Sequence, residues 1–312
     1  AIPAYVLAFV FTGLFDFAGP LQSALKQWLP SYQFVDVRNP FGVITTLILL
    51  LYPYVYMLAR SAFLAQGYGL MEAARILGKT PWQAFFQVAL PMARPAIAAG
   101  TALALMETLA DFGAVSIFNY DTFTTAIYKA WYGLFSLDTA AQLATLLLLF
   151  VAVSVVVERN SRGSSSYAQS EKSKQRSRFA LTGRQAWFAS AFCGLVFVLA
   201  FVLPIFQLIA WVVQQGLSDM DARYLTLLRS TIALGAVAAS ATVAGALLLA
   251  YAKRLSPSVL TRSSATIGTL GYALPGSVLA VGIMMVFGWL DRHLVAGIQQ
   301  SLGLPVNQWF LG

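Results

Sequence analysis

Charge is scarce in this chain: Asp, Glu, Lys and Arg make up 10% of its 312 residues, against about a quarter in soluble globular domains. With 59% hydrophobic residues and a mean hydropathy of +0.72, that shortage excludes a soluble protein and points to an integral membrane protein. Cysteine is nearly absent, and Cys193 alone permits neither a disulfide framework nor a cysteine metal site. Lying mid-span, it reads as a small packing residue. His293 is the sole histidine, so no Ser-His-Asp or Cys-His arrangement can be assembled and enzyme chemistry in the chain is not expected. Period-two alternation, the mark of a membrane barrel, is also missing, so the fold expected is an all-α bundle. No initiator Met or signal peptide opens the chain, and the first residue already lies in an apolar run.

What is there is a series of apolar runs of bilayer-crossing length, roughly 20 residues each. They are Phe41–Leu64, Ala96–Phe118, Thr139–Val157, Ala186–Val213, Leu225–Ala252 and Ser264–Leu290, with the shorter Ile2–Phe15 as a seventh. Lys and Arg fall in alternate loops. Arg60, Arg75, Lys79 and Arg94 form one group; Arg159, Arg162, Lys172, Lys174, Arg176, Arg178 and Arg184 a second; Lys253, Arg254 and Arg262 a third. If the spans alternate, all three lie on one side, which is then cytoplasmic. The net charge of +8 follows from topology, and no nucleic-acid partner is implied.

The first basic loop carries the chemistry that matters most. Glu72-Ala73-Ala74 is followed by three residues, Gly78, nine residues, a β-branched residue, one residue, then Leu90-Pro91. Tyr68–Leu77 can form a short helix kept thin by Ala73 and Ala74. Gly78 can take the left-handed conformation that ends it, and Pro91 and Pro95 can set the angle of the next span. An overlapping Gly78-Lys79-Thr80 looks like the end of a phosphate loop, but Ala73 stands where that loop needs Gly and no strand precedes it. The chain is therefore not expected to bind ATP.

Residue types, spacing and topology together resemble the "EAA" loop of bacterial ABC-importer permeases; Tyr68, Trp82, Phe85 and Pro95 also sit where that family places such residues. The resemblance implies a type I ABC-importer transmembrane bundle in the bacterial inner membrane, with no cofactor of its own. ATP would be bound and hydrolysed by a partner ATPase dimer contacting Glu72, Ala73, Ala74, Gly78, Leu90 and Pro91, and a periplasmic solute-binding protein would deliver the solute.

A second level of order is an internal repeat. Ala1-Ile2-Pro3-Ala4-Tyr5-Val6-Leu7-Ala8 aligns with Ala273-Leu274-Pro275-Gly276-Ser277-Val278-Leu279-Ala280, and each heads an outward-running span. Both prolines should bend or interrupt their spans. The division expected is residues 1–157 for the later part of one repeat, with the coupling loop at 65–95; 158–184 for a polar, Ser-rich and mobile cytoplasmic linker; and 185–312 for the early part of a second repeat. The chain then reads as an internal piece of a longer protein, as in the fused two-repeat ferric-ion transport permeases.

Glu107 and Asp111, four apart, share one helical face of a span. Carboxylates at that depth are costly and usually face the bundle interior or a water-filled path; the alternative is that they cap a broken helix or bond neighbouring spans. The stretch from Glu107 to Tyr132 resembles ferric-ion permeases, and hard carboxylate oxygens suit Fe(III). Ferric iron is the expected solute, with thiamine, phosphonate or sulfate as alternatives under the same mechanism. An ATP-independent transporter or channel is the alternative of another class.

Overall fold

Helices are the only regular elements among the described residues of this computed structural model, which are 2–29, 34, 36–66, 68–162, 181–216, 222–256, 258–270 and 274–302. Hydrocarbon offers no partner for backbone N–H and C=O groups, so a chain this apolar must satisfy them within each segment. In order, the elements are α1 (Ala4–Leu14), α2 (Pro20–Trp28), α3 (Pro40–Ala65), α4 (Tyr68–Ile76), α5 (Pro81–Ala110), α6 (Gly113–Ile117), α7 (Phe123–Tyr128), α8 (Leu137–Arg162), α9 (Gly183–Gln215), α10 (Ala222–Leu255), α11 (Val259–Leu270) and α12 (Gly276–Ser301). Six are long and apolar enough to cross a membrane: α3, α5, the Leu137–Ser154 part of α8, α9, α10 and α12. The short apolar helix α1 is the seventh segment.

Local chemistry sets the helix starts. Asn39 caps α3, its Oδ1 accepting from the Gly42 N–H at 2.9 Å, with Pro40 at the first helical position. At the start of α5, Thr80 and Gln83 form a reciprocal capping box around Pro81. α5 therefore begins well before Pro91 and Pro95, which lie inside it. They act on a running helix, beside a wider π-type turn at Phe85–Ala89.

Two expected spans are interrupted. The run Ala96–Phe118 breaks at Asp111, whose ψ of 126° is extended, and resumes as the separate α6. Ser264–Leu290 ends one helix at Leu270 and starts another at Gly276. The interruption expected at Pro275 is present, and Pro275 and Pro3 occupy equivalent places: each is the N-cap of its helix, with ψ of 140° and 146°. Their carbonyls accept from Leu279 N–H and Leu7 N–H at 3.1 and 3.2 Å. Cys193, expected to be a packing residue, is exposed on α9. Residues 163–180 of the expected linker lie outside the described residues, as do Tyr272 and Ala273 and the side chain of Tyr68.

By packing, the chain divides into two units, residues 1–204 with 275–312, and residues 205–274. In the first, α3 lies along α5, and Gly100 allows close contact: a Cβ there would stand 2.7 Å from Val55 Cα. A core of Leu7, Ala8, Phe11, Val43, Ala114, Val115 and Phe118 joins α1, α3 and α6. α8 packs on α5, α7 and α12, presenting the buried stripe Ala140, Ala144, Leu147 and Val151. In the second unit, α10 packs with α11, where Leu249 meets Gly268.

Candidate functional site: a loop and an elbow at the two ends of one helix

The loop between α3 and α5 is built to stand out. After α4 the chain turns through Gly78, whose φ of 80° is the left-handed conformation. Gly78 N–H donates to Arg75 O at 2.9 Å and Lys79 N–H to Ala74 O at 3.0 Å, the paired bonds of a Schellman end. No atom lies within 4 Å of where a Gly78 Cβ would be, so glycine is needed here for backbone conformation rather than for space. Two ties hold the loop to its supports: the Gln66 side-chain amide donates to Ala89 O at 2.9 Å, and the Phe63 and Phe85 rings stack at 5.9 Å.

Of the residues singled out for coupling, Glu72, Ala73 and Gly78 are exposed, whereas Ala74 is buried. Leu90 and Pro91 are half-buried and lie within α5, past the π-type turn. The two alanines thus differ: Ala74 seats α4 on its support, and Ala73 keeps the outer profile low. Around them the loop exposes Ile76, Leu77, Trp82 and Phe86, the last two rings stacked at 6.1 Å, with Arg75 and Lys79 alongside. Of this apolar surface, Trp82 was picked from sequence only as a position of the family resemblance, and Ile76, Leu77 and Phe86 were not picked for coupling. Thr80-Pro81-Trp82-Gln83 carried the signal, since Thr followed three residues later by Gln marks a helix start that would place Trp82 on the first turn.

At the other end of α5 the chain forms an elbow. Asp111 leaves the helix, and its carboxylate accepts from the N–H groups of Val115 at 3.1 Å and Ala114 at 3.5 Å, capping α6. Its carbonyl accepts from Thr124 Oγ1 at 2.6 Å, which fastens α7 to the end of α5. Glu107 is half-buried on the last turns of α5. α6 ends through Asn119, φ 52°, with Asn119 N–H donating to Ser116 O and Tyr120 N–H to Val115 O. Lys129 pairs with Asp121 in an exposed position. The rings of Phe112, Tyr128, Tyr132 and Trp131 follow one another at 5.0, 4.7 and 4.7 Å. Among the described residues no three of His, Cys, Asp and Glu gather as a metal site. His293 Nδ1 lies 3.0 Å from Trp289 O.

A capped helix pair presents an apolar and charged surface at one end of α5, and α5 runs from that surface to the elbow as one helix with a π-type turn at Phe85–Ala89.

Comparison with known proteins bears on this. The chain is 29% identical over 87% of its length to the Fe(3+)-transport system permease protein FbpB 2 of Haemophilus influenzae, covering 54% of that protein. It is 34% identical to the molybdate/tungstate transport system permease protein WtpB of Thermococcus kodakarensis over 25% of this chain and 32% of that one. It is 30% identical to the sulfate transport system permease protein CysT of Escherichia coli over 37% of this chain and 40% of that one. The chain thus spans about half the length, or less, of these curated relatives. No solved structure matches. Residues 1–159, which hold both the loop and the elbow, match the model of the binding-protein-dependent transport system inner membrane component, and the chain belongs to that family.

Proposed function

We propose that this chain is the permease core of an ATP-driven importer and that its solute is ferric iron. The observation that carries the solute is the reach of the resemblance. The ferric relative matches 87% of the chain, extending past the family segment at 1–159, whereas the molybdate/tungstate and sulfate relatives match 25% and 37%. Thiamine or a phosphonate under the same mechanism is the second reading.

In this reading a partner ATPase dimer seats against α4 and the start of α5, meeting Glu72, Ala73, Gly78 and the exposed Ile76, Leu77 and Trp82. Leu90 and Pro91 transmit the movement along α5. ATP binding closes the dimer and turns a central cavity between the spans outward, a periplasmic binding protein delivers the solute, and hydrolysis resets that cavity inward. Glu107 and Asp111 line the path near the elbow, with Asp111 also holding α6. Residues 1–157 and 185–312 belong to two repeats joined by a linker at 158–184.

Uptake of radiolabelled ferric iron by cells making the intact transporter tests this, with Glu72→Arg alongside. Uptake abolished by the substitution supports both solute and coupling. Uptake of thiamine or a phosphonate instead replaces the solute. Iron uptake indifferent to the substitution overturns the coupling role and favours a channel or secondary transporter.

A further inference from the structure

α1 and α12 start alike, and at the offset that pairs Pro3 with Pro275 their faces can be compared residue by residue. In α1 the buried face is Leu7, Ala8, Phe11 and Leu14, the first three packed in the core with α3 and α6. Of the matching residues of α12, Leu279, Ile283 and Val286 are exposed and Ala280 is half-buried, with Leu279 48% exposed against 1% for Leu7. In α12 the face turned inward holds Ser277, whose hydroxyl oxygen is buried, and Val281, 2% exposed, on the helix that packs against α7 and α8. The residues matching these in α1 are Tyr5, 55% exposed, and Phe9, 54% exposed. Each helix therefore exposes the face that its counterpart buries.

Equivalent helices in two repeats related by a twofold axis make equivalent contacts. We propose that the Tyr5–Phe9 face of α1 is an inter-repeat interface, covered by a second-repeat helix pair built like α7 and α8. By the same symmetry, the Leu279–Ile283–Val286 face of α12 is covered by counterparts of α3 and α6. A second copy of this chain fits less well, because its α7–α8 surface already carries its own α12. The chain spans 54% of the ferric relative, which leaves room in a protein of that kind for the missing pairs. Bare lipid is the other occupant to exclude, since an apolar face in hydrocarbon gains little from burial alone. Here the argument rests on the positional match of the two faces, and it depends on the two-repeat reading.

Single cysteines at Tyr5, Phe9 and Ile283, in a background of the intact transporter with Cys193 and any other cysteine replaced by Ser, would carry nitroxide labels in native-like membranes. Ile48, exposed on α3, serves as the reference. Labels at positions 5, 9 and 283 should be immobilised and severalfold less accessible to dissolved oxygen than the label at Ile48. Lipid-like mobility and oxygen access at 5 and 9 would overturn the proposal. So would dipolar broadening that disappears on dilution with unlabelled protein, because it would make the neighbour a second copy. Uptake assayed on the same labelled proteins reads the transport function separately, so failure of the interface and failure of the permease reading are distinguishable.

Discussion

The loop at 65–95 and the elbow around Asp111 sit at opposite ends of α5 and use their carboxylates in opposite ways, Glu72 exposed and Asp111 bonded to the backbone. On the loop the charged side chains of Glu72, Arg75 and Lys79 are exposed, the turn at Gly78 is closed backbone to backbone, and the side chains that bond the backbone are the uncharged Gln66, Thr80 and Gln83. At the elbow, polar side chains turn onto the backbone. Asp111 caps α6, Thr124 bonds the Asp111 carbonyl, and Thr122 and Thr125 cap α7 reciprocally. A break in a helix within an apolar setting must find partners for its freed N–H and C=O groups; a loop in water can leave them to solvent. The elbow's motif is therefore first a structural necessity, and the loop's motif is free to be a surface. Substitutions should divide accordingly when ranked by their effect on folding.

Asp111→Leu should be the most damaging. It leaves the Ala114 and Val115 N–H groups without their acceptor in a half-buried place. Loss of a cap together with unsatisfied donors costs about 3 kcal/mol, read as a lowered unfolding midpoint of the detergent-solubilised protein. Asp111→Asn keeps an acceptor oxygen and should stay near the parent's midpoint. If Asp111 also lines the path, the Asn variant should nonetheless lose uptake severalfold. Normal uptake would confine the residue to capping.

Gly100→Ala comes next. The added Cβ would meet Val55 Cα at 2.7 Å, an atom of the α3 backbone that cannot swing away. Helices α3 and α5 would have to separate, at roughly 1–3 kcal/mol as for other overpacked cores. An unchanged midpoint would show that the close approach of α3 and α5 is not what holds the bundle between loop and elbow.

How much of this was legible in the sequence follows from the same contrast. The spans were, because about 20 apolar residues in a row leave few other solutions. The loop was, because its Glu-Ala-Ala and Gly spacing is carried by residues in contiguous positions. The elbow was legible only through its carboxylates, for which capping of a broken helix was the alternative reading that Asp111 bears out; Ala96–Phe118 is apolar on both sides of Asp111, so hydropathy runs straight through the break. Asp111 followed by Gly113 was the available sign, an N-cap residue type shortly before a helix that can restart. Phe85–Ala89 gave no such sign, since a π-type turn depends on packing in three dimensions rather than on composition. The matching faces of α1 and α12 needed both burial patterns, which only packing supplies.

Gly78→Val should cost less again, about 1–2 kcal/mol, the penalty of a left-handed backbone for a residue with a Cβ, felt locally as fraying of α4. Because no atom crowds the site, Gly78→Asn, which tolerates that conformation, should restore both the midpoint and uptake. If Asn fails as badly as Val, the open space beside Gly78 is itself used in docking a partner.

Glu72→Arg lies at the end of the series. Its side chain is exposed on α4, and such substitutions usually stay within about 0.5 kcal/mol, so the unfolding midpoint should not move. Under the proposed function its effect should fall on association instead: an ATPase that copurifies with the parent should be lost from the variant. Ile76→Asn, on the neighbouring exposed apolar surface, should act in the same direction through lost apolar contact. A variant that kept the midpoint and also kept the ATPase would end the division between a structural elbow and a working loop. It would leave Glu72 as one more solvated charge on a capped helix.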